Sequence, residues 1–211
     1  MATYESIIKI KGAVGDLVFY NLNGKNVVRK KSGFNKTAFK KNPSYEKVRQ
    51  NSSEFGHCSK VGKIIRASLS TYIKEAGDPL LYQKFAKLMT EIKDLDTISE
   101  RGKRTVESGL RTESGKKLLR EFQFGVIKNL ANDIEVQDQS LWIKNANIAD
   151  NAVLSTVKLD GEGYNAECVE EEIILNQEYT PFEKQFTNED FLLYFAVLKD
   201  NKNEITHMGF V

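Results

Sequence analysis

Residues 17–28 read Leu-Val-Phe-Tyr-Asn-Leu-Asn-Gly-Lys-Asn-Val-Val, which is two β-forming runs on either side of a turn. The dipeptide Asn23-Gly24 favours a type I′ turn, because both central residues of that turn need a positive φ. The stretch therefore predicts a β-hairpin. A shorter apolar run, Ile7, Ile8 and Ile10, precedes the hairpin and predicts a further strand.

The pattern becomes helical after the hairpin. Asn42-Pro43 and Asp78-Pro79 each combine a capping residue with proline at the first helical position, so they predict two helix starts. Gly77 is predicted to end the first helix, and residues 112–122 to form a short amphipathic helix after a polar loop. The first helix has apolar residues at mostly three- and four-residue spacing: Val48, Phe55, Val61, Ile64, Ile65, Leu69, Tyr72 and Ile73.

The segments become short and rich in β-formers from about residue 124. Turn residues separate them, which is typical of a small antiparallel β-sandwich. The chain is therefore predicted to be an α+β protein with two domains: a basic hairpin-plus-helical module over 1–125 and an acidic β-sandwich over 126–211. The strongest candidate strands are Leu141–Ile143, Val153–Leu159, Glu172–Leu175, Leu192–Leu198 and Ile205–Val211.

Charge is distributed unevenly along the 211 residues. The formal net charge is +2, but the first 120 residues carry +13 and the last 91 carry −11. Three interpretations follow: attraction between two parts of one chain, head-to-tail contacts between chains, or binding of the basic half to a polyanion such as nucleic acid. A fourth interpretation is that the basic and the acidic half are solvated independently and that neither has a partner.

The basic residues at the end of the hairpin continue into an arm, residues 32–42, that has no clear period and is predicted to be extended. One interpretation is a connector whose phenylalanines pack on neighbouring helices. The other is an arm that docks on another subunit or stacks on nucleic-acid bases. The candidate residues for binding a partner or nucleic acid are Arg29, Lys30, Lys31, Phe34, Lys36, Phe39, Lys40 and Lys41.

The residues do not form a recognisable catalytic or metal-binding motif, and we predict no catalytic residue, no metal, no cofactor and no small-molecule substrate. His57 and Cys58 are adjacent on a helix, where neighbours point in different directions. His207 has no second ligand at metal-binding spacing. Cys58 and Cys168 are expected to be free thiols.

An acidic run is the one feature of the sequence that could belong to an enzyme active site. It contains Glu167, Glu170, Glu171 and Glu172, which could supply paired carboxylates, although a solvated loop or edge strand explains the same run. No apolar run approaches the roughly 20 residues that span a bilayer, and the N-terminus does not resemble a secretory signal. We therefore expect cytoplasmic synthesis and no membrane partner.

Three further segments carry a resemblance. They are Ile10–Tyr20 with Asn23-Gly24, Asn42–Asn51 with Ser53–Gly56, and Leu95–Gly102. Together they resemble an uncharacterised protein family from Bacteroidota, especially flavobacteria, over roughly residues 7–125. The resemblance implies a bacterial or phage-encoded origin and an N-terminal module that is shared while the β-domain varies. It transfers no activity and no site residue.

These observations lead to one functional hypothesis and one alternative. The hypothesis is a non-enzymatic structural protein that assembles with itself or with other subunits into a larger particle, such as a phage or phage-like virion. The alternative is a nucleic-acid-binding protein that uses the basic N-terminal half.

Overall fold

The chain divides into two compact units, Met1–Glu46 and Lys47–Val211. This division differs from the predicted boundary near residue 125, because the helices after residue 47 share a core with the later strands. The computed structural model describes residues 2–6, 10–31, 36–131, 133–144, 151–160, 164–175, 178–187, 190–200 and 202–211.

The first unit contains an antiparallel sheet in the order β1-β4-β3-β2. The predicted hairpin is confirmed: Asn23 and Gly24 have φ values of 50° and 82°, and they connect the paired ends of β3 and β4. Ile7 and Ile8 lie outside the described residues, and Ile10 precedes β2. The strands are β1 (Ala2–Thr3), β2 (Gly12–Val14), β3 (Leu17–Leu22) and β4 (Lys25–Lys30).

The arm after the hairpin is partly helical. Residues Lys36–Lys41 form the short helix α1, so the prediction of an extended arm is wrong for these six residues. A 3-10 turn over Pro43–Tyr45 follows, and the Asn42 side chain accepts a hydrogen bond from the backbone N–H of Ser44 at 2.9 Å. The predicted cap at Asn42 is therefore present.

Five helices follow. The hydroxyls of Thr105 and Thr112 cap α5 and α6. Asp78 accepts a hydrogen bond from the N–H of Leu80, but α4 begins at Leu81, so the predicted helix start at Asp78-Pro79 lies in the turn before the helix. The predicted first helix is interrupted at Leu69 before it reaches Gly77. The bounds are α2 (Glu46–Ser68), α3 (Ser70–Glu75), α4 (Leu81–Asp94), α5 (Val106–Leu110) and α6 (Glu113–Arg120).

Two antiparallel sheets complete the second unit, and the α+β class is confirmed. One has the order β11-β10-β7-β8 and the other the order β5-β6-β9. The strands are β5 (Ile134–Gln137), β6 (Ser140–Ile143), β7 (Asn151–Leu159), β8 (Ala166–Ile174), β9 (Tyr179–Pro181), β10 (Phe191–Lys199) and β11 (Ile205–Phe210).

The central strands β7 and β10 of the four-stranded sheet are buried on both faces. Alternate residues of β7, such as Val153 and Val157, pack with the helices, while Ala152 and Leu154 pack with the three-stranded sheet. The predicted sandwich is therefore covered by a helical layer on its other side. Close aromatic rings join this layer to the sheet: Tyr72, Phe85, Phe122, Phe124, Phe195 and Phe210.

Candidate interaction surfaces

The N-terminal sheet exposes an unusual amount of apolar surface. Val27 is the one residue below a tenth exposed among the described residues of 1–46. Leu17, Phe19 and Val28 project from one face, because residues that pair across an antiparallel ladder share a face. Val14, opposite Leu17, is 62 % exposed. We call this face, with Val14, Leu17, Phe19 and Val28, the N-terminal apolar face.

The predicted basic residues lie around this sheet and on the arm. Arg29, Lys30 and Lys31 are exposed at the end of β4, and the side chains of Arg29 and Lys30 point to opposite faces because they are neighbours in a strand. Lys36 and Lys40 share one side of α1, four residues apart. Unit Met1–Glu46 has nine Lys or Arg and three Asp or Glu, a net charge of +6.

Of the two phenylalanines in the arm, the structure describes Phe39. Phe39 is half-buried, and its ring meets the ring of Tyr45 edge-on with a centroid distance of 5.7 Å. That packing agrees with the connector interpretation of Phe39. Phe34 lies outside the described residues.

The acidic run of the second unit lies on β8, an outer strand of the four-stranded sheet. Glu167, Glu170 and Glu172 are exposed, while the carboxylate of Glu171 accepts a hydrogen bond from the backbone N–H of Glu183 at 3.0 Å. Charged side chains on an edge strand discourage pairing with a strand of another molecule. The edge-strand interpretation of this run fits its position, and we call it the acidic edge.

A second exposed apolar feature lies on α2. Val48 and Phe55 were expected in the core, but the Phe55 side chain is 61 % exposed and Val48 is 51 % exposed. The inward side of α2 instead carries Glu54, Cys58 and Val61. Val48 and Phe55 are seven residues apart and so lie on one side of the helix.

The histidines and cysteines do not form a shared site. Cys58 is buried, and burial raises the pKa of its thiol to about 11. The Nε2 of His57 accepts a hydrogen bond from the backbone N–H of Val106 at 3.0 Å, and burial lowers the pKa of His57. Cys168 is exposed on β8, and both cysteines are free. His57 therefore supports the start of α5 rather than activating Cys58.

Metal-binding clusters and membrane-spanning helices are both absent from the described part of the chain. No group of three or more His, Cys, Asp or Glu residues there is arranged to hold a metal ion. None of the helices in those ranges is both long and apolar enough to cross a membrane.

A buried ionic cluster was missed from the sequence. The Glu54 carboxylate accepts four hydrogen bonds. Two come from the guanidinium of Arg104, one from the ammonium of Lys93 and one from the backbone N–H of Gly102. The bond from Arg104, together with those from Lys93 and Gly102, holds the pKa of Glu54 well below its usual range although burial opposes this. The sequence could have indicated that Glu54 is buried, because it precedes Cys58 by four residues and so lies on the same side of α2.

The same loop is fixed by a second carboxylate. Asp96 is buried and accepts hydrogen bonds from the backbone N–H groups of Ile98, Ser99 and Thr105. Because two cations hold Glu54 and three backbone N–H groups hold Asp96, the cluster fixes loop 95–105 in place and is better suited to structural support than to chemistry.

No family model, curated protein or solved structure matches this chain.

Proposed function

We propose that this chain is a non-enzymatic structural protein whose basic N-terminal unit docks on the acidic β-part of another copy. The observation that carries the proposal is the N-terminal apolar face. A sheet of this size needs a covered apolar face to be stable, and units of roughly 40–70 residues usually rely on disulfides, a bound metal or oligomerisation. A second copy would provide that cover.

Charge complementarity favours this partner. Residues 1–46 carry a net charge of +6, whereas residues 121–211 carry −11. The acidic edge presents Glu167, Glu170 and Glu172 to solvent. A contact between the N-terminal unit of one copy and the acidic edge of the next would combine apolar burial with electrostatic attraction.

Such a contact would join two different surfaces. Heterologous contacts produce a ring when the rotation between copies closes and a filament when it does not. This is the geometry expected of a particle component. That the particle is phage-like stays a prediction.

Light scattering coupled to size-exclusion chromatography tests the proposal at two salt concentrations. The Debye length falls from about 10 Å at 0.1 M salt to about 3 Å at 1 M. We expect oligomers at low salt that dissociate as salt rises. A monomer at both concentrations, at high protein concentration, would refute self-assembly.

A charge-reversal pair sharpens the test. The triple variant K25E, R29E, K30E should be monomeric at low salt, and adding it to the E167K, E172K variant should restore mixed oligomers. The matched control K63E, K74E, K87E makes the same change in net charge on exposed lysines of the helices. Loss of assembly in the control as well would mean that net charge, not this contact, controls association.

Binding to nucleic acid is the competing outcome. Lys36, Lys40 and Lys41 are exposed on α1, but Phe39 packs on Tyr45 instead of standing clear for base stacking. A gel shift of the whole chain with DNA and RNA at low salt separates the two functions. Salt-sensitive binding that the K25E, R29E, K30E variant loses, without self-association, would favour the nucleic-acid function.

A further inference from the structure

One long side of α2 carries exposed apolar side chains. Val48, Phe55 and Arg66 share this side, because spacings of seven and eleven residues correspond to about two and three turns of an α-helix. Val48 and Phe55 are each more than half exposed. From Val48 to Arg66 the helix rises by about 27 Å, at roughly 1.5 Å per residue. The exposed side is therefore long enough to contact another element along several turns.

A guanidinium from another element lies beside the two apolar residues. The Nη2 of Arg101 donates a hydrogen bond to the Oδ1 of Asn51 at 3.0 Å. Asn51 is three residues after Val48 and four before Phe55, so its side chain lies next to both on the helix surface. The loop that carries Arg101 is itself tied to α2. Gly102, the next residue, donates its N–H to the buried carboxylate of Glu54.

A second guanidinium lies toward the other end of the same side. The Cζ of Arg66 is 4.7 Å from the ring centroid of Tyr82 and 5.4 Å from that of Phe85, and both rings belong to α4. Phe85 is buried, whereas Tyr82 is more than half exposed. These cation–π contacts hold the Arg66 head group in place and leave its positive charge without a carboxylate.

Acidic side chains do not balance these two cations in the part of the chain that the structure describes. No carboxylate there lies within ion-pair distance of either guanidinium, and Glu100, the neighbour of Arg101, pairs with Lys103 at 3.0 Å. The two acidic residues of α2 lie elsewhere, because Glu54 is buried and Glu46 is on the opposite side of the helix from Val48. The exposed side of α2 is therefore both apolar and positively charged.

We infer that this side of α2 binds an acidic amphipathic helix of a partner protein. The surface, which we call the α2 outer face, consists of Val48, Phe55, Arg66, Tyr82 and Arg101. It contains no residue of the N-terminal apolar face or of the acidic edge, so the inference does not rest on the assembly proposed above.

A helix is the partner element that fits this surface. The main chain of α2 is hydrogen-bonded within the helix, so a partner binds through side chains rather than by adding a strand. A second helix laid along α2 repeats its own side chains at matching intervals. Its apolar residues cover Val48 and Phe55, and its carboxylates meet the two guanidiniums. Arginine and large aromatic residues are also the side chains that dominate binding energy in protein interfaces.

The binding test uses a fluorescein-labelled synthetic helix of about 20 residues, or about 30 Å, titrated with the full chain by fluorescence anisotropy. The peptide carries leucine at the first and fourth positions of each heptad and glutamate at the flanking positions. We expect saturable binding, and we expect F55A and R101E each to weaken it by about tenfold or more. Absence of saturable binding to the unchanged protein would refute the inference.

Matched controls change similar side chains outside the α2 outer face. V126A shortens another exposed apolar residue, and K117E reverses the charge of an exposed lysine on α6. Both controls should bind the peptide as the unchanged protein does. All four variants should unfold close to the temperature of the unchanged protein, because the side chains they change are exposed. Equal losses of binding in the variants and the controls would overturn the inference.

Two further peptides test the chemistry of the partner. A peptide of the same composition with its leucines spread around all sides of the helix has no apolar stripe and should not bind. A peptide with lysine in place of glutamate should not bind either, because its cations would face Arg66 and Arg101. Binding of either peptide as tight as that of the acidic amphipathic helix would overturn the inference.

Two other occupants of the α2 outer face are separate outcomes. Duplex DNA should not displace the acidic helix, and displacement would assign the surface to a polyanion instead. F55A and R101E should leave the molar mass measured by light scattering unchanged. A change in mass would mean that a second copy covers this face, and it would overturn the inference. Failure of the assembly through the N-terminal unit would not affect these results.

Discussion

The guanidinium of Arg104 forms two parallel hydrogen bonds with the carboxylate of Glu54, at 2.9 Å from Nε and 2.7 Å from Nη2. The two residues are fifty positions apart, and the pair joins the buried side of α2 to loop 95–105. Glu54 is 2 % exposed, so its charge depends on these partners. Losing Arg104 would leave Lys93 to pair with Glu54, and losing Glu54 would leave Arg104 to pair with the half-exposed Asp94.

Replacing Glu54 by glutamine is expected to destabilise the protein strongly. The variant leaves Lys93 and Arg104 with only the half-exposed Asp94 as a carboxylate partner, and breaking a buried pair typically costs about 3–5 kcal/mol. Chemical denaturation measures the loss. The control is E100Q, which removes an exposed ion pair with Lys103 and should cost less than about 1 kcal/mol. Similar losses in the two variants would contradict the role assigned to Glu54.

The same pair predicts an acid dependence of stability. The hydrogen bond from Arg104 lowers the pKa of folded Glu54 below its unfolded value of about 4.3. The stabilisation is therefore complete above that value and is lost as the pH falls toward the folded pKa. The free energies of unfolding of the wild type and of E54Q should therefore approach each other as the pH falls below about 4. A difference between these two free energies that stays constant with pH would exclude this titration.

Two glycines in helices should respond in opposite ways to alanine. A Cβ on Gly109 of α5 would fall on the carbonyl oxygen of Ile92 in α4, so G109A should cost about 2–3 kcal/mol or more. A Cβ on Gly56 of α2 meets nothing within 4 Å, so G56A should stabilise by about 0.5–1 kcal/mol. Thermal unfolding of both variants tests the helix contact; a G109A protein as stable as G56A would contradict it.

The hairpin turn should tolerate no side chain at Gly24. Its φ of 82° costs an L-residue about 1–2 kcal/mol, so G24A should loosen β3 and β4. Hydrogen exchange monitored by mass spectrometry should show faster exchange in residues 17–30. Exchange in α4, which belongs to the other compact unit, serves as the internal control and should not change.

The two thiols should differ widely in reactivity. Cys168 is exposed, whereas Cys58 is 1 % exposed and has a pKa raised to about 11 by burial. Partial burial and the nearby Glu170 raise the pKa of Cys168 as well, so accessibility makes the difference: an alkylating reagent should modify Cys168 in the native protein and Cys58 only after denaturation. Mass spectrometry of the native protein should find one label. C168S should then take up none, and a label on native C168S would contradict the buried position of Cys58.

Local signals predicted local structure well. The Asn23-Gly24 turn, the cap at Asn42 and the five candidate strands after residue 140 depend on neighbouring residues, and the structure has them. The α1 helix was missed because residues 36–41 contain no apolar period that would indicate it.

Features that depend on distant residues were harder to predict. Glu54 is a charged residue at a buried position, and its partner Arg104 lies fifty residues away in a loop. The interruption at Leu69 and the exposure of Phe55 likewise depend on how α2 packs in the folded unit. The chain divides after Glu46 because the helices and the later strands share one core. The sequence instead shows a change near residue 124, where short segments rich in β-forming residues begin.

The shared core limits which pieces of this molecule can be prepared on their own. Cutting near residue 125 would strip the helices from Val153, Val157 and Phe195 and leave apolar surface on both fragments. Each fragment is then prone to aggregate. Laboratory work on this protein is therefore better served by keeping the polypeptide whole.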